Sequence, residues 1–191
     1  LLNDLKNIES IMSILGIDVS TSCTAFCILD LDGNLSSLFF EDFKKCKTFW
    51  EKVDRIEETI SKMPLEKIQG FFVEESLQKF RPGMSSAKTL TTLSKFNGIV
   101  CQIIRRKIGV DPQYLNVNTA RKAVGLKIIR GQDTKAQVFE FAKNKLPEVS
   151  WPKKTIASGK RKGLVIDSPY CFDLADAYVV AKAGFVKMSE D

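Results

Sequence analysis

The first part of the chain alternates between short apolar runs and turn-forming residues, a pattern that is typical of β-strands. Residues 14–19 and 25–29 form two such runs, and Asp32-Gly33 is a hairpin signal in front of a third run over residues 35–40. Strands joined by turns this short lie antiparallel. The pattern therefore predicts a meander of three antiparallel strands.

Beyond residue 40 the apolar spacing switches between a helical period and short buried runs. It predicts a helix over 49–60, a strand over 70–73, a long helix over 85–107, a short strand over 114–117, a helical turn over 120–124, and helices over 133–145 and 168–184. Asp133 is expected to cap its helix, and residues 147–163 are predicted to be a basic loop. Together the elements predict an α/β fold, a mixed five-stranded sheet with its first three strands antiparallel, flanked by helices.

The length of 191 residues fits one domain. Residues 1–11 carry apolar side chains at helical spacing ahead of Met12. We interpret them as an N-terminal extension or an expression remnant, which leaves residues 12–191 as the domain. No apolar run reaches the roughly 18 residues that span a membrane, so no membrane partner is expected.

Cysteine and histidine usage narrows the possible chemistry. The five cysteines are scattered and odd in number, so they do not suggest a disulfide framework, and the absence of histidine excludes a Cys/His zinc site. We expect an intracellular, reducing compartment such as the cytoplasm or nucleoid, with an organelle or a virus-infected cell left open. Any catalysis must depend on carboxylates, lysines, hydroxyls or thiols.

Charge is distributed unevenly along the chain. Residues 1–80 carry 14 acidic and 9 basic side chains, whereas residues 81–191 carry 9 acidic and 20 basic ones. A basic half of this size favours a polyanionic partner, with nucleic acid the leading candidate. From charge alone, a lysine-rich surface that is merely solvated remains the alternative.

Several acidic residues stand in apolar surroundings, where a charge is costly unless a cation or hydrogen bonds meet it. Asp18 lies inside the first strand, and Glu74 and Glu75 close the strand over 70–73. Asp173 and Asp176 share one face of the last helix. The simpler alternatives are a turn cap for Asp18, solvated strand ends for the glutamates and compensation of the helix dipole for Asp173.

Clustered carboxylates in a chain without histidine form the oxygen-rich environment that Mg²⁺ or Mn²⁺ prefers. Such a set can hold two ions about 4 Å apart for in-line displacement at a phosphodiester. The basic half of the chain would then bind the nucleic acid. Charge distribution and carboxylate placement are independent signals, and both favour a metal-dependent reaction on nucleic acid.

Three motifs, taken in order, resemble those of RuvC-type Holliday junction resolvases within the ribonuclease-H-like superfamily. LGID at residues 15–18 is similar to the family's first-strand aspartate motif, VEE at residues 73–75 to its fourth-strand glutamate motif, and DLADA at residues 173–177 to its closing helix. The resemblance covers roughly residues 14–184. It implies a ribonuclease-H-like fold and an endonuclease that cuts four-way DNA junctions by paired nicks, leaving 5′-phosphate and 3′-hydroxyl ends.

The resemblance assigns catalysis, and the binding of two Mg²⁺ or Mn²⁺ ions, to four residues: Asp18, Glu74, Asp173 and Asp176. Asp167 is the reserve candidate if the last helix is out of register. The resemblance also implies that Lys135 lies near the scissile phosphate.

Candidate DNA-binding residues lie in several stretches of the chain. After the glutamate strand, relatives carry an aromatic wedge for the junction; here Leu77 takes that position, and Phe80 follows three residues later. A phosphate contact is expected from residues 121–122, and the basic stretch 153–163 is longer than the family's short connection. The full set is Phe80, Arg81, Arg121, Lys122, Lys135, Lys160, Arg161 and Lys162.

A homodimer is expected because resolving a junction requires two nicks related by near two-fold symmetry. The resemblance implies an interface along the helix over 85–107. There, the apolar residues exceed what one core-facing stripe requires: Leu90, Leu93, Ile99 and Ile103. Burial of both helix faces within the monomer is the alternative.

Three other functions compete with the resolvase interpretation. A ribonuclease H acting on RNA–DNA hybrids would use the same active-site chemistry. Residues 16–21 followed by 31–33 also resemble the first phosphate hairpin of actin-like ATPases and sugar kinases, although the chain lacks their second hairpin and glycine-rich adenosine motif. The third alternative is a non-catalytic DNA-binding module.

Overall fold

The computed structural model describes residues 12–75 and 86–190. Its main sheet is built from five strands: β1 (Ser13–Val19), β2 (Cys23–Asp30), β3 (Leu35–Asp42), β4 (Ile68–Glu74) and β5 (Gln113–Leu115). The strand order is β3-β2-β1-β4-β5; β1, β2 and β3 are antiparallel, whereas β4 is parallel to both β1 and β5. The predicted mixed five-stranded sheet is confirmed.

Five helices of the described ranges accompany the sheet: α1 (Phe49–Ser61), α2 (Ala87–Ile108), α3 (Val117–Ala123), α4 (Thr134–Lys145) and α5 (Tyr170–Glu190). The first four each begin after a side chain that accepts a hydrogen bond from a first-turn backbone N–H: Thr48, Ser86, Asn116 and Asp133. The predicted cap at Asp133 is confirmed. The strand predicted over 114–117 ends earlier, at Leu115, because Asn116 caps α3.

Each face of the sheet has its own hydrophobic core because side chains alternate along a strand. In β1, Leu15 and Ile17 pack with α1 and α2, whereas Ile14 packs with α3, α4 and α5. Asp18 belongs to the second set by the same alternation, and Glu74 takes the equivalent place in β4. Both acids therefore lie on the face that α5 covers.

Helix α5 lies against the backbone of the sheet because glycines leave room for it. A Cβ at Gly16 in β1 would come within 2.3 Å of the backbone nitrogen of Ala181, and a Cβ at Gly184 within 2.2 Å of the Phe72 ring. Gly184 is thus a packing position inside α5. The prediction that the helix ends there is wrong: it continues to Glu190 because its later apolar residues still pack on the core.

The prediction of one basic loop over residues 147–163 is also wrong. Strands β6 (Lys153–Thr155) and β7 (Val165–Asp167) form a separate antiparallel hairpin. The backbone of Ile156 extends the pairing by exchanging hydrogen bonds with the opposite strand. Short exposed strands rich in lysine show no apolar alternation, so the sequence pattern did not reveal them.

The N-terminal segment, residues 1–11, lies outside the described residues, so its interpretation as an extension or remnant stays a prediction. Within residues 12–75 and 86–190, no helix combines the length and apolar character needed to cross a bilayer.

Replacing Gly16 with alanine should lower the free energy of unfolding by roughly 1–3 kcal/mol, because the added methyl group meets helix backbone that cannot rotate away. Urea denaturation followed by circular dichroism measures the change. The matched control is Gly98→Ala in α2, where a Cβ meets nothing within 4 Å. That substitution should raise stability by about 0.5–1 kcal/mol. Equal effects at both glycines would contradict our account of how α5 packs.

Candidate active site

The four acidic residues that the motifs single out line one cleft at the carboxyl ends of β1 and β4. The register of these parallel strands sets Asp18 beside Glu74. Asp173 and Asp176 lie in the first two turns of α5, which crosses the same face of the sheet. Two strand ends and one helix face, far apart in the sequence, therefore meet in one place.

Burial raises the pKa of all four carboxyl groups. The pKa of Asp18 is well above its usual value, first because the group is removed from water and then because Glu74, Asp176 and Asp173 repel its charge. Burial and Asp176 raise the pKa of Glu74 to about 7. The pKa values of Asp173 and Asp176 are raised mainly by burial. The cleft thus concentrates negative charge in a poorly solvated place.

Two basic side chains offset part of this charge. The Nη2 atom of Arg121 lies 3.7 Å from Oδ1 of Asp176, and the two side chains are only 15% and 13% exposed. Lys135, in the first turn of α4, lowers the pKa of each of the four carboxyl groups, and Arg121 does so for Glu74 and Asp176. Burial still outweighs these attractions, because every one of the four pKa values remains raised.

Among the residues that the sequence analysis did not single out, Cys23 contacts a carboxylate of the cleft and Asn97 lines it. Cys23, buried at the start of β2, shares a hydrogen bond with the Asp173 carboxylate, and burial raises the pKa of its thiol. The neutral thiol can therefore donate to Asp173 and orient it. Asn97 is buried in α2 and lines the cleft. The sequence could have indicated Asn97, because it is a polar residue within the apolar stripe of α2. No local pattern in the sequence indicates that Cys23 belongs to the site.

The donor chemistry of the cleft fits a divalent cation. Carboxylate oxygens are the ligands that Mg²⁺ and Mn²⁺ prefer, and a cation would relieve the repulsion that raises the pKa of Asp18. In the arrangement seen here, no three acidic, cysteine or histidine side chains of the described ranges are grouped tightly enough to chelate one ion.

The basic residues predicted to bind DNA occupy different places. Arg121 and Lys135 line the cleft with the carboxylates. Lys122 is exposed on α3 and lines a separate depression beside Thr119 and Lys187, so the structure does not bring it to the cleft. The tip of the hairpin between β6 and β7 carries three exposed basic residues: Lys160, Arg161 and Lys162.

The remaining predicted residues either lie outside the described ranges or lie away from the cleft. Phe80, Arg81 and Leu77 lie outside the described residues, so their roles at the DNA stay predictions. Asp167, the reserve candidate, is at the end of β7, where it forms an ion pair with Lys153. Asp167 does not line the cleft.

Three solved structures resemble this chain over most of its length. Thermus thermophilus RuvC in complex with a Holliday junction substrate is 14% identical with a TM-score of 0.63, and 94% of this chain and 96% of that chain are covered. A second T. thermophilus RuvC structure is 16% identical with a TM-score of 0.60 and the same coverage. The yeast mitochondrial Holliday junction resolvase Ydc2 is 13% identical with a TM-score of 0.52, covering 94% and 80% of the two chains.

No protein-family model matches the chain, and no curated protein sequence matches it. The likeness is therefore one of structure, and at these identities it concerns the fold. The chain has the fold of RuvC-type Holliday junction resolvases, the ribonuclease-H-like sheet expected from its motifs.

The raised pKa of Glu74 predicts how the metal-free protein responds to pH. In the folded chain Glu74 holds its proton up to about pH 7, whereas an unfolded glutamate loses it near its ordinary value of 4.5. The folded state binds more protons in between, so this group's contribution to stability falls as the pH rises from about 4.5 to 7, by about 3 kcal/mol. Urea denaturation in EDTA at several pH values measures how the free energy of unfolding changes with pH.

The control for this prediction is Glu74→Gln, which cannot titrate. Its free energy of unfolding should fall less steeply across the same pH window, and the difference between the two proteins reports the titration of Glu74 together with its interaction with the other carboxyl groups of the cleft. Parallel profiles for the two proteins would contradict the assignment of a raised pKa to Glu74.

Proposed function

We propose that this protein is a metal-dependent endonuclease that resolves four-way DNA junctions by paired nicks. The observation that carries the proposal is the convergence of four poorly solvated carboxylates in one cleft of a RuvC-type fold. Carboxylates gathered in this way destabilise a protein unless a cation joins them, so the arrangement is better explained by function than by folding. The chain resembles the solved structure of RuvC in complex with a Holliday junction, which supports the choice of substrate.

Asp18, Glu74, Asp173 and Asp176 would hold Mg²⁺ or Mn²⁺, and we infer two ions per site. When bound, such a pair lowers the pKa of an attacking water and stabilises the leaving oxygen at a phosphodiester. The chain has no histidine, so the carboxylate oxygens are the proton acceptors at hand. We expect products with 5′-phosphate and 3′-hydroxyl ends.

Two basic residues of the cleft are suited to orient the scissile phosphate. The exposed ammonium of Lys135 acts on all four carboxylates, so it can bind a phosphate oxygen that approaches them. The Nε–H of Arg121 is buried and has no hydrogen-bond partner among the described residues. Arg121 also lines the cleft, so its guanidinium can contact a phosphate oxygen that enters there.

A panel of labelled substrates tests the proposal. A four-way junction, a linear duplex and an RNA–DNA hybrid are each incubated with the protein in Mg²⁺, in Mn²⁺ and in EDTA. We expect paired nicks in the junction with either ion and no cutting in EDTA. Preferential cutting of the hybrid would favour a ribonuclease H. Binding without cutting would favour a non-catalytic module, and ATP hydrolysis without DNA a phosphotransferase.

Asp18→Asn or Asp173→Asn should lower the rate of junction cutting at least about a hundredfold, the scale expected when one group that stabilises a transition state is lost. Junction affinity should be unchanged or slightly higher, because removing a negative charge does not weaken the attraction of phosphate. Single-turnover cleavage and fluorescence anisotropy measure the two quantities.

The matched control is Asp167→Asn, an acidic residue close in sequence to Asp173 that does not line the cleft. It should cut near the wild-type rate when DNA is saturating. Wild-type cutting by either cleft variant would refute the assignment of these carboxylates to catalysis.

We also propose that the protein acts as a homodimer, because two identical sites related by a two-fold axis match the symmetry of a four-way junction. Ile99 and Ile103 of α2 pack partly on the core of their own chain. Leu90 and Leu93 are half-buried near the start of the same helix. All four residues are half-buried, so each keeps apolar surface for an interface, and Leu93 also lines the cleft.

Light scattering at micromolar concentration should give about twice the chain mass of 21.4 kDa. Leu90→Lys should shift the protein toward monomer, because it places a charge in the apolar interface. Leu31→Lys, at an exposed leucine between β2 and β3, is the matched control and should leave the mass unchanged. A strictly monomeric wild-type protein that binds junctions one-to-one would refute the dimer.

A further inference from the structure

The basic hairpin, defined here as residues 153–167, projects from the domain into solvent. Residues 153–155 and 157–165 are all exposed, and Ile156, Ile166 and Asp167 are half-buried, so most of the ribbon faces solvent. A two-stranded hairpin without a packed face is at best marginally stable by itself. The hairpin therefore adds little to the hydrophobic core, and its role has to be sought on its surface.

The root of the basic hairpin is fixed to the core. The Pro152 carbonyl accepts hydrogen bonds from the Ser168 N–H at 2.9 Å and from the Cys171 thiol at 3.3 Å. Trp151 is buried and stacks edge-on against Phe139, with ring centroids 5.0 Å apart. The base of the basic hairpin is thus fixed to the core, whereas its tip is free. We call this extended, basic hairpin the arm.

The charge of the basic hairpin is unbalanced. It contains five basic residues, and the chain has no acidic residue between positions 149 and 166. Lys153 forms an ion pair with Asp167 at the root, but the other four have no acidic partner among the described residues. Three of them are consecutive at the tip, between Gly159 and Gly163, whose positive φ angles of 78° and 85° form the turn.

Apolar surface accompanies this charge. Leu164 is 48% exposed and Val165 is 58% exposed, and they follow the basic tip directly. Basic side chains beside exposed aliphatic ones suit a surface that binds phosphates at the edge of the major groove and makes apolar contacts with base edges such as the thymine methyl group. A purely solvated surface does not require the aliphatic pair.

The dimensions and position of the arm suit duplex DNA. Four paired rows, from Lys153 to Ile156, span about 10 Å, and the major groove of B-DNA, about 12 Å wide, admits a two-stranded ribbon. The hairpin ends at Asp167, and the chain enters the first turn of α5, which carries Asp173. A duplex with a phosphate in the cleft therefore passes close to the root of the arm.

We infer that the basic hairpin is a second DNA contact that holds a duplex arm beside the point of cleavage. Lys160, Arg161 and Lys162 bind its phosphates, and Leu164 and Val165 lie against the groove. The inference rests on the proposed nuclease function and deepens it. The hairpin supplies affinity and not chemistry, because none of its residues lines the cleft.

The triple variant Lys160→Gln/Arg161→Gln/Lys162→Gln tests the inference. Junction affinity is measured by fluorescence anisotropy over a series of KCl concentrations, for the wild type and the variant. Each lost phosphate contact lowers the slope of log K against log salt by about 0.9, so the slope should fall by about 2 to 3. Affinity should drop at least about tenfold at 0.1 M salt, whereas the single-turnover cleavage rate at saturating DNA should be unchanged.

The matched control removes the same charge elsewhere, at three exposed lysines of the acidic half: Lys45→Gln/Lys47→Gln/Lys67→Gln. Its slope should differ little from that of the wild type. A hairpin variant with the wild-type or control slope would overturn the inference, as would an unchanged slope combined with weaker binding to phosphatidylserine vesicles, which would indicate a lipid partner. If the wild-type protein neither binds nor cuts a junction or hybrid, the proposed function itself fails.

Discussion

The close contact between helix α5 and the backbone of β1 is the constraint on which the rest of the site depends. Gly16 has no side chain, so the helix backbone at Ala181 lies directly on the strand. Asp18 is two residues further along that strand, on the same face. Because α5 is held at this depth, Asp173 and Asp176 lie above the strand ends and not in solvent. A side chain at position 16 would lift the helix and pull the carboxylates apart.

Burial and charge oppose each other in the cleft. The pKa values of the four carboxyl groups are raised because the fold removes them from water and gathers them together. Arg121 and Lys135 relieve only part of that cost. An acidic cleft also repels a phosphodiester, so DNA bound there as we propose would have to be held by basic elements around the cleft. Lys135 lies at the cleft itself, and the basic hairpin extends from a root close to α5. Both are therefore placed to hold DNA near the carboxylates.

Local pattern in the sequence was enough to predict the sheet and the carboxylates. Period-two and period-3.6 spacing record which face of an element is buried, and that information is local. An acid in the middle of such a pattern is conspicuous without any knowledge of the fold, which is how Asp18 and the Asp173–Asp176 pair were found. Their convergence also followed, because the ends of neighbouring parallel strands and a helix packed on them lie at one edge of a sheet.

The features that only the tertiary structure decided depend on contacts between distant segments. Cys23 enters the site because β2 pairs with β1, and nothing in its neighbours along the chain indicates a partner in α5. Arg121 and Lys122 look equivalent in sequence, yet their positions on α3 turn the first toward Asp176 and the second away. Gly184 resembled a helix end because its packing against a β4 side chain is invisible locally. Sequence periodicity reports which side of a helix or strand is buried. Which residues of other elements that side contacts is decided only when the elements pack together.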